Sequence, residues 1–251
     1  MAPTLPGALP FDVRRVAEQA GLAFRETPGG FRAVAPPQAV EVRGGGFEVK
    51  PRHEPGGAPA AGVRFETRSV RRGPHELWRD PAPTARASAQ ELVTAGAGVT
   101  ERLRSTADGV EQAWAFESAP AGTGDLVVDV AVDAPLLAST ASGLHFAAGT
   151  LAVRYGHATW VDARGARTPV EARWSAGRIE LAVPAEVLAA SAFPAVLDPL
   201  VSAEIAVDQL VYVATPDGDA TPAIAWNGTR YLVVFASNGE VVGVRLDATG
   251  T

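Results

Sequence analysis

Three aspartates at intervals of four, Asp125, Asp129 and Asp133, have the spacing in this chain that most invites chemistry. Side chains on a strand alternate with period two, so all three fall on one face of the run around residues 126–132. A pair such as Asp129 and Asp133 could flank a sugar as the two carboxyls of a glycoside hydrolase do, one donating a proton while the other stabilises the charge. The plainer reading is that carboxylates are what an antiparallel strand carries on its solvent side. Asp217-Gly218-Asp219 offers further oxygens on a tight turn. Calcium takes ~6–8 oxygen ligands and two carboxylates supply few of them, so a simple turn accounts for the triplet. Calcium is still the one cofactor the sequence suggests.

Nothing else converges as clearly. His53, His75, His145 and His157 are spread singly, with no His-Glu-x-x-His pair and no Gly-x-Ser-x-Gly elbow. His145 and His157 lack a third ligand at zinc spacing, and neither is expected to carry function. Gly44-Gly45-Gly46 joins two strands rather than a strand and a helix, so phosphate binding has no support. Trp78, beside a Pro-rich loop, is expected to be exposed and could offer an aromatic platform to a sugar.

Composition removes several function classes. With no cysteine there is neither a disulfide nor a thiolate metal site. The net charge is −6, and the densest basic patch is only Arg64, Arg68, Arg71 and Arg72, which reads as a solvated strand end. Nucleic acid is therefore not an expected partner. No apolar run reaches the ~18 residues of a membrane helix. Residues 1–4 do not lead into a signal peptide, so an exported protein would have this sequence only after cleavage.

The elements that must position these residues are mostly strands. One short helix is expected over residues 12–20, capped by Asp12 and stapled by Phe11 onto Val16. Period-two alternation then takes over at Leu22 and Phe24, Val40 and Val42, Phe47 and Val49, and Val63 and Phe65. Residues 80–88 read as an internal boundary or a long crossing loop. Residues 125–133 form the cleanest strand, with Leu126, Val128, Val130 and Val132 facing in. A hairpin over residues 143–155 turns at Ala148-Gly149, which sets Phe146 opposite Leu151 and Leu144 opposite Val153. Pro184 can start one helical turn, and the Pro-punctuated segment 193–200 closes the domain. Beyond it, Asn227-Gly228 and Asn238-Gly239 are hairpin signals in four expected short strands, about the size of one propeller blade.

The fold expected is mainly β: an antiparallel β-sandwich-like domain with one short N-terminal helix, followed by a single blade-like unit. Its expected divisions are 1–88, 89–202 and 203–251. Gly98-Val99-Thr100-Glu101, then Asp108-Gly109-Val110-Glu111-Gln112, and the ending Phe193-Pro194-Ala195-Val196-Leu197-Asp198-Pro199-Leu200 resemble the N-terminal module of large exported bacterial repeat proteins. In those proteins it precedes FG-GAP-type or other β-propeller repeats. The phrase from Ala225 to Phe235 is similar to the first such repeat. The resemblance implies a secreted or cell-surface setting and a non-catalytic structural or adhesion role. Its partners would be other protein chains or further repeats. It brings no catalytic residues with it. Polysaccharide is the partner under the two alternatives, a hydrolase using Asp129 and Asp133, or a carbohydrate- or calcium-binding adhesin.

Overall fold

The computed structural model describes residues 22–35, 38–51, 61–78, 85–88, 91–204, 223–226, 231–237 and 240–246. The chain separates into two compact units, 1–205 and 206–251. The helix expected over residues 12–20 lies outside the described residues.

The first unit is a sandwich of two antiparallel sheets. Strands β1 (Arg25–Thr27), β2 (Gly30–Val34), β3 (Gln38–Arg43), β4 (Gly46–Pro51), β5 (Val63–Arg72) and β6 (His75–Trp78) open the chain. Next come β7 (Arg86–Ser88), β8 (Glu91–Ala95), β9 (Thr100–Ser105), β10 (Val110–Phe116) and β11 (Leu126–Val132). They are followed by β12 (Leu136–Thr140), β13 (Gly143–Ala148), β14 (Leu151–Val161), β15 (Arg167–Val170), β16 (Ala172–Ser175) and β17 (Arg178–Val183). Helix α1 (Ala185–Ala190) and strand β18 (Ala195–Glu204) complete the unit. The first sheet runs β1-β2-β3-β4-β5-β11-β17-β16, with β6 bonded to β5. The second runs β12-β13-β14-β18-β10-β9-β8-β7, with β15 bonded to β14.

Strands from both sides of residue 88 share the first sheet, so 1–88 and 89–202 are interleaved halves of one core rather than neighbours. The chain does change sheet between β6 and β7, where the sequence suggested a crossing.

Alternation places the core. Val63, Phe65 and Thr67 of β5 point between the sheets, and an extra residue opposite Asp129 and Val130 lets Val70 point inward too. Phe65 bridges the layers, 5.9 Å from Phe146 and 5.4 Å from Tyr155 of the second sheet. Phe146, Val153, Trp114, Phe116 and Val130 are fully buried in this one cluster, whereas Leu151 is only half-buried at its turn.

One sequence expectation needs correction. The β13–β14 register is displaced by two residues, with Phe146 opposite Val153 and Leu144 opposite Tyr155. The cause is the turn: Gly149 and Thr150 are its two central residues, and Gly149 takes the positive φ of 68° that its first position favours. A shift of two leaves every side chain on its expected face. Segment 193–200 does close the first unit in chain order, but not as a loose exit. It enters β18, the strand between β14 and β10 at the centre of the second sheet. Pro199 is tolerated there beside an irregularity in the β14–β18 pairing.

Pro184 does start a helix, α1, whose Leu188 is buried. In the second unit, β19 (Ala223–Trp226), β20 (Tyr231–Ser237) and β21 (Glu240–Leu246) form a three-stranded antiparallel meander. The fourth strand expected there falls on residues outside the described ones.

Candidate functional site

The aspartates of β11 do not converge. Asp125 Oδ1 accepts the Ala185 N–H at 2.9 Å and so caps the first turn of α1. Asp129 is buried and accepts the Ser69 hydroxyl at 2.7 Å, with Arg71 at 3.6 Å. Asp133 Oδ1 accepts the Arg64 N–H at 2.7 Å where β5 passes the end of β11. Four residues of strand at ~3.3 Å each separate Asp129 from Asp133 by roughly 13 Å along the chain. The carboxyls of glycoside hydrolases stand ~5–10 Å apart.

The other expected residues are also occupied by structure. Trp78 is 1% exposed, against the expectation of an open aromatic face, because the β5–β6 hairpin turns it inward opposite Val70. The Arg64, Arg68, Arg71 and Arg72 side chains each meet a carboxylate or a carbonyl, such as Arg72 on Pro120 O at 2.8 Å. His157 Nδ1 accepts the Ala172 N–H at 3.0 Å and is therefore unprotonated at that nitrogen. His145 stands between Glu204 Oε2, 2.6 Å from Nδ1, and Thr140 Oγ1, 2.8 Å from Nε2. Asp217 and Asp219 lie outside the described residues. Among the described residues, no three His, Asp or Glu side chains stand close enough to hold a metal ion.

The group that sequence reasoning missed is inside the sandwich. Glu101 of β9 is 6% exposed and points at the opposing sheet. Its Oε1 accepts the Thr67 hydroxyl at 2.7 Å and the Gln112 amide at 2.6 Å. Tyr155 in turn donates its hydroxyl to Gln112 Oε1 at 2.9 Å. Burial holds the tyrosine well above its ordinary value, with Glu101 and then Asp198 adding to the effect, so it remains a donor. That fixes the Gln112 amide with its oxygen toward Tyr155 and its nitrogen toward Glu101. Burial likewise raises the Glu101 carboxyl above 4.5, and the two donated hydrogen bonds oppose this. The signal was present in the sequence: Glu101 shares the period-two face of Leu103 and Ser105, and Gln112 that of Val110 and Trp114.

Glu101 also lines a half-open groove of about 420 Å³ between the sheets. The β3–β4 turn forms one lip, with Gly44 and Gly45 at φ of 52° and 78°, as a two-residue type I′ turn requires. A side chain at Gly46 would meet Phe65 O at 2.6 Å, so this lip can be built only close to the core. Thr94, paired with Glu101 across β8 and β9, faces the same groove, as do Phe31, Val42 and Leu103. Glu26, Thr27 and Arg43 add polar groups to this lining beside the three apolar side chains. No helix among the described residues is long and apolar enough to cross a membrane. Compared with protein-family models, curated proteins and solved structures, the chain matches none.

Proposed function

We propose that this chain is a non-catalytic structural or adhesion module of an extracellular or cell-surface protein, its sandwich supporting the β unit that follows. The supporting observation is the route of the chain out of the sandwich. It leaves through β18, which is hydrogen-bonded on both sides, to β14 and to β10. The end of that strand is further tied by the His145–Glu204 contact. A central strand cannot be drawn out without breaking two ladders, which suits a tether for a following unit. The partners of that unit are other chains or further β repeats, to which its three described strands, a single sheet, would offer a face.

The test is sedimentation of the purified chain over a concentration series. Association that rises with concentration and is lost when residues 206–251 are removed is the expected result. A strictly monomeric chain whose C-terminal unit resists protease would overturn the partner role. Turnover of a soluble polysaccharide, abolished by Asp129→Asn or Asp133→Asn, would replace the reading with a hydrolase.

A further inference from the structure

We infer that the groove over Glu101 binds a small primary ammonium compound with an apolar body. The argument starts from the carboxyl. Only Oε1 is engaged, by two neutral donors, and Oε2 has no partner among the described residues. Arg43 lines the same groove, but its guanidinium is paired with Glu41 at 3.4 Å. A carboxyl removed from water and left without a positive partner is costly, and it is neutralised either by a proton or by a cation from outside.

The remaining groups select the kind of cation. An alkylammonium has three N–H donors and no acceptor. Beside Glu101, the groove is lined by Thr94, whose hydroxyl is the nearest further oxygen on the same pair of strands, and by Thr27. Thr94 and Glu101 are directly opposite across their strands, which brings their side chains to within ~5 Å at Cβ. Glu101 Oε2 and the Thr94 hydroxyl thus offer oxygens to those donors. Phe31, Val42 and Leu103 supply apolar wall for the rest of the molecule. With Glu26 and Glu101 against Arg43 in the lining, an anionic ligand is disfavoured.

The experiment uses the whole chain at pH 7 and 2-phenylethylammonium as the probe, followed by amide chemical shifts. Two compounds of similar shape, 2-phenylethanol and 3-phenylpropionate, are the controls. Saturable shifts at Gly44, Gly45 and Thr94 are expected with the ammonium compound alone. Glu101→Gln keeps the acceptor for Thr67 and Gln112 but removes the charge. It should weaken binding roughly tenfold or more, as loss of a charged hydrogen-bond partner does. Thr94→Val, opposite Glu101 across β8 and β9, should weaken it severalfold and decides the matter if the Glu101 variant does not fold. Absence of saturation, equal binding of the alcohol, or unchanged affinity in the folded variants would overturn the assignment.

Discussion

Glu101 and Asp162 are hidden from solvent to nearly the same extent, 6% and 5% exposed, yet their surroundings push them in opposite directions. Asp162 follows β14 in the turn to β15. Its carboxylate accepts the backbone N–H groups of Ala192, Arg164 and Ala166 at 3.0, 2.9 and 2.9 Å. The Arg164 guanidinium adds two more donors. These bonds, Ala192 first, pull it from 3.8 to about 2, while burial opposes them. Glu101 has only two neutral side-chain donors and no cation, and burial prevails. The difference lies in what surrounds each group: Asp162 sits under one exposed arginine, whereas Glu101 lies between two sheets. Low exposure by itself does not set the charge state of a carboxyl; how deeply it lies and the number and kind of donors around it decide together. Asp162 closes a turn, and Glu101 remains unfinished.

The largest expected effect removes the packing on which only one of the two depends. Phe146 meets Phe65 at 5.9 Å, and Phe65 meets Tyr155 of the Glu101 network at 5.4 Å. Phe146→Ala should cost ~3–5 kcal/mol in denaturant unfolding. It should also admit water toward Glu101 and bring that carboxyl closer to its ordinary value, leaving Asp162 where it is. Equal movement of both in an NMR titration would break the distinction. Tyr155→Phe comes next. It deletes the donor to Gln112 Oε1 and leaves that buried oxygen unpaired, at a cost of ~1–3 kcal/mol. A melting midpoint equal to that of the parent chain would mean that Gln112 reorients freely, and that nothing fixes its nitrogen on Glu101.

How much of this was legible in the sequence depends on what was being read. Alternation at Phe65, Trp114, Val130 and Phe146 gave the inward faces, because period two survives any shift of two residues. The partners did not follow from it. The β13–β14 register turned on which residues occupy a two-residue turn, and the central place of β18 was masked by Pro194 and Pro199. Trp78 was misplaced because a Pro-rich neighbour says nothing about the direction of the preceding side chain. The site was harder still. Glu101 and Thr67 are 34 residues apart and on different sheets, so only the packing of the layers brings them together. The aspartates of β11 were conspicuous in sequence and turned out to be caps and staples.

Asp162→Asn probes the other side of the comparison. An asparagine keeps one acceptor but turns an amide toward donors that now lack a partner. The loss should be smaller than for Tyr155→Phe, since water can reach the freed groups beneath Arg164, whose side chain is 64% exposed. Its pH dependence is the sharper reading. A carboxyl depressed to about 2 from 3.8 contributes stability that is fully present above the higher value. That contribution fades as pH falls toward the lower one. Parent and variant should therefore differ in melting midpoint at pH 6 and converge toward pH 2. A difference that persists at pH 2 would assign the effect to shape rather than charge.

Glu101→Gln should have the smallest effect, and of the opposite sign. Glutamine presents a carbonyl oxygen to Thr67 and Gln112 just as the carboxyl does, so the 2.7 and 2.6 Å contacts can persist. What changes is the proton. With its carboxyl raised above 4.5 in the folded chain, Glu101 holds a proton that the unfolded chain has already released. The folded state then binds more protons than the unfolded one, and stability falls as pH rises from 4.5 through the folded value. Glutamine has no proton to lose and escapes that decline. The variant should match the parent near pH 4 and melt at an equal or higher temperature at pH 7, with a flatter profile between. A variant that melts lower at pH 7 but not at pH 4 would show that the charged carboxylate is itself stabilised in the fold. Glu101 would then belong with Asp162, and the two regions would no longer differ in kind.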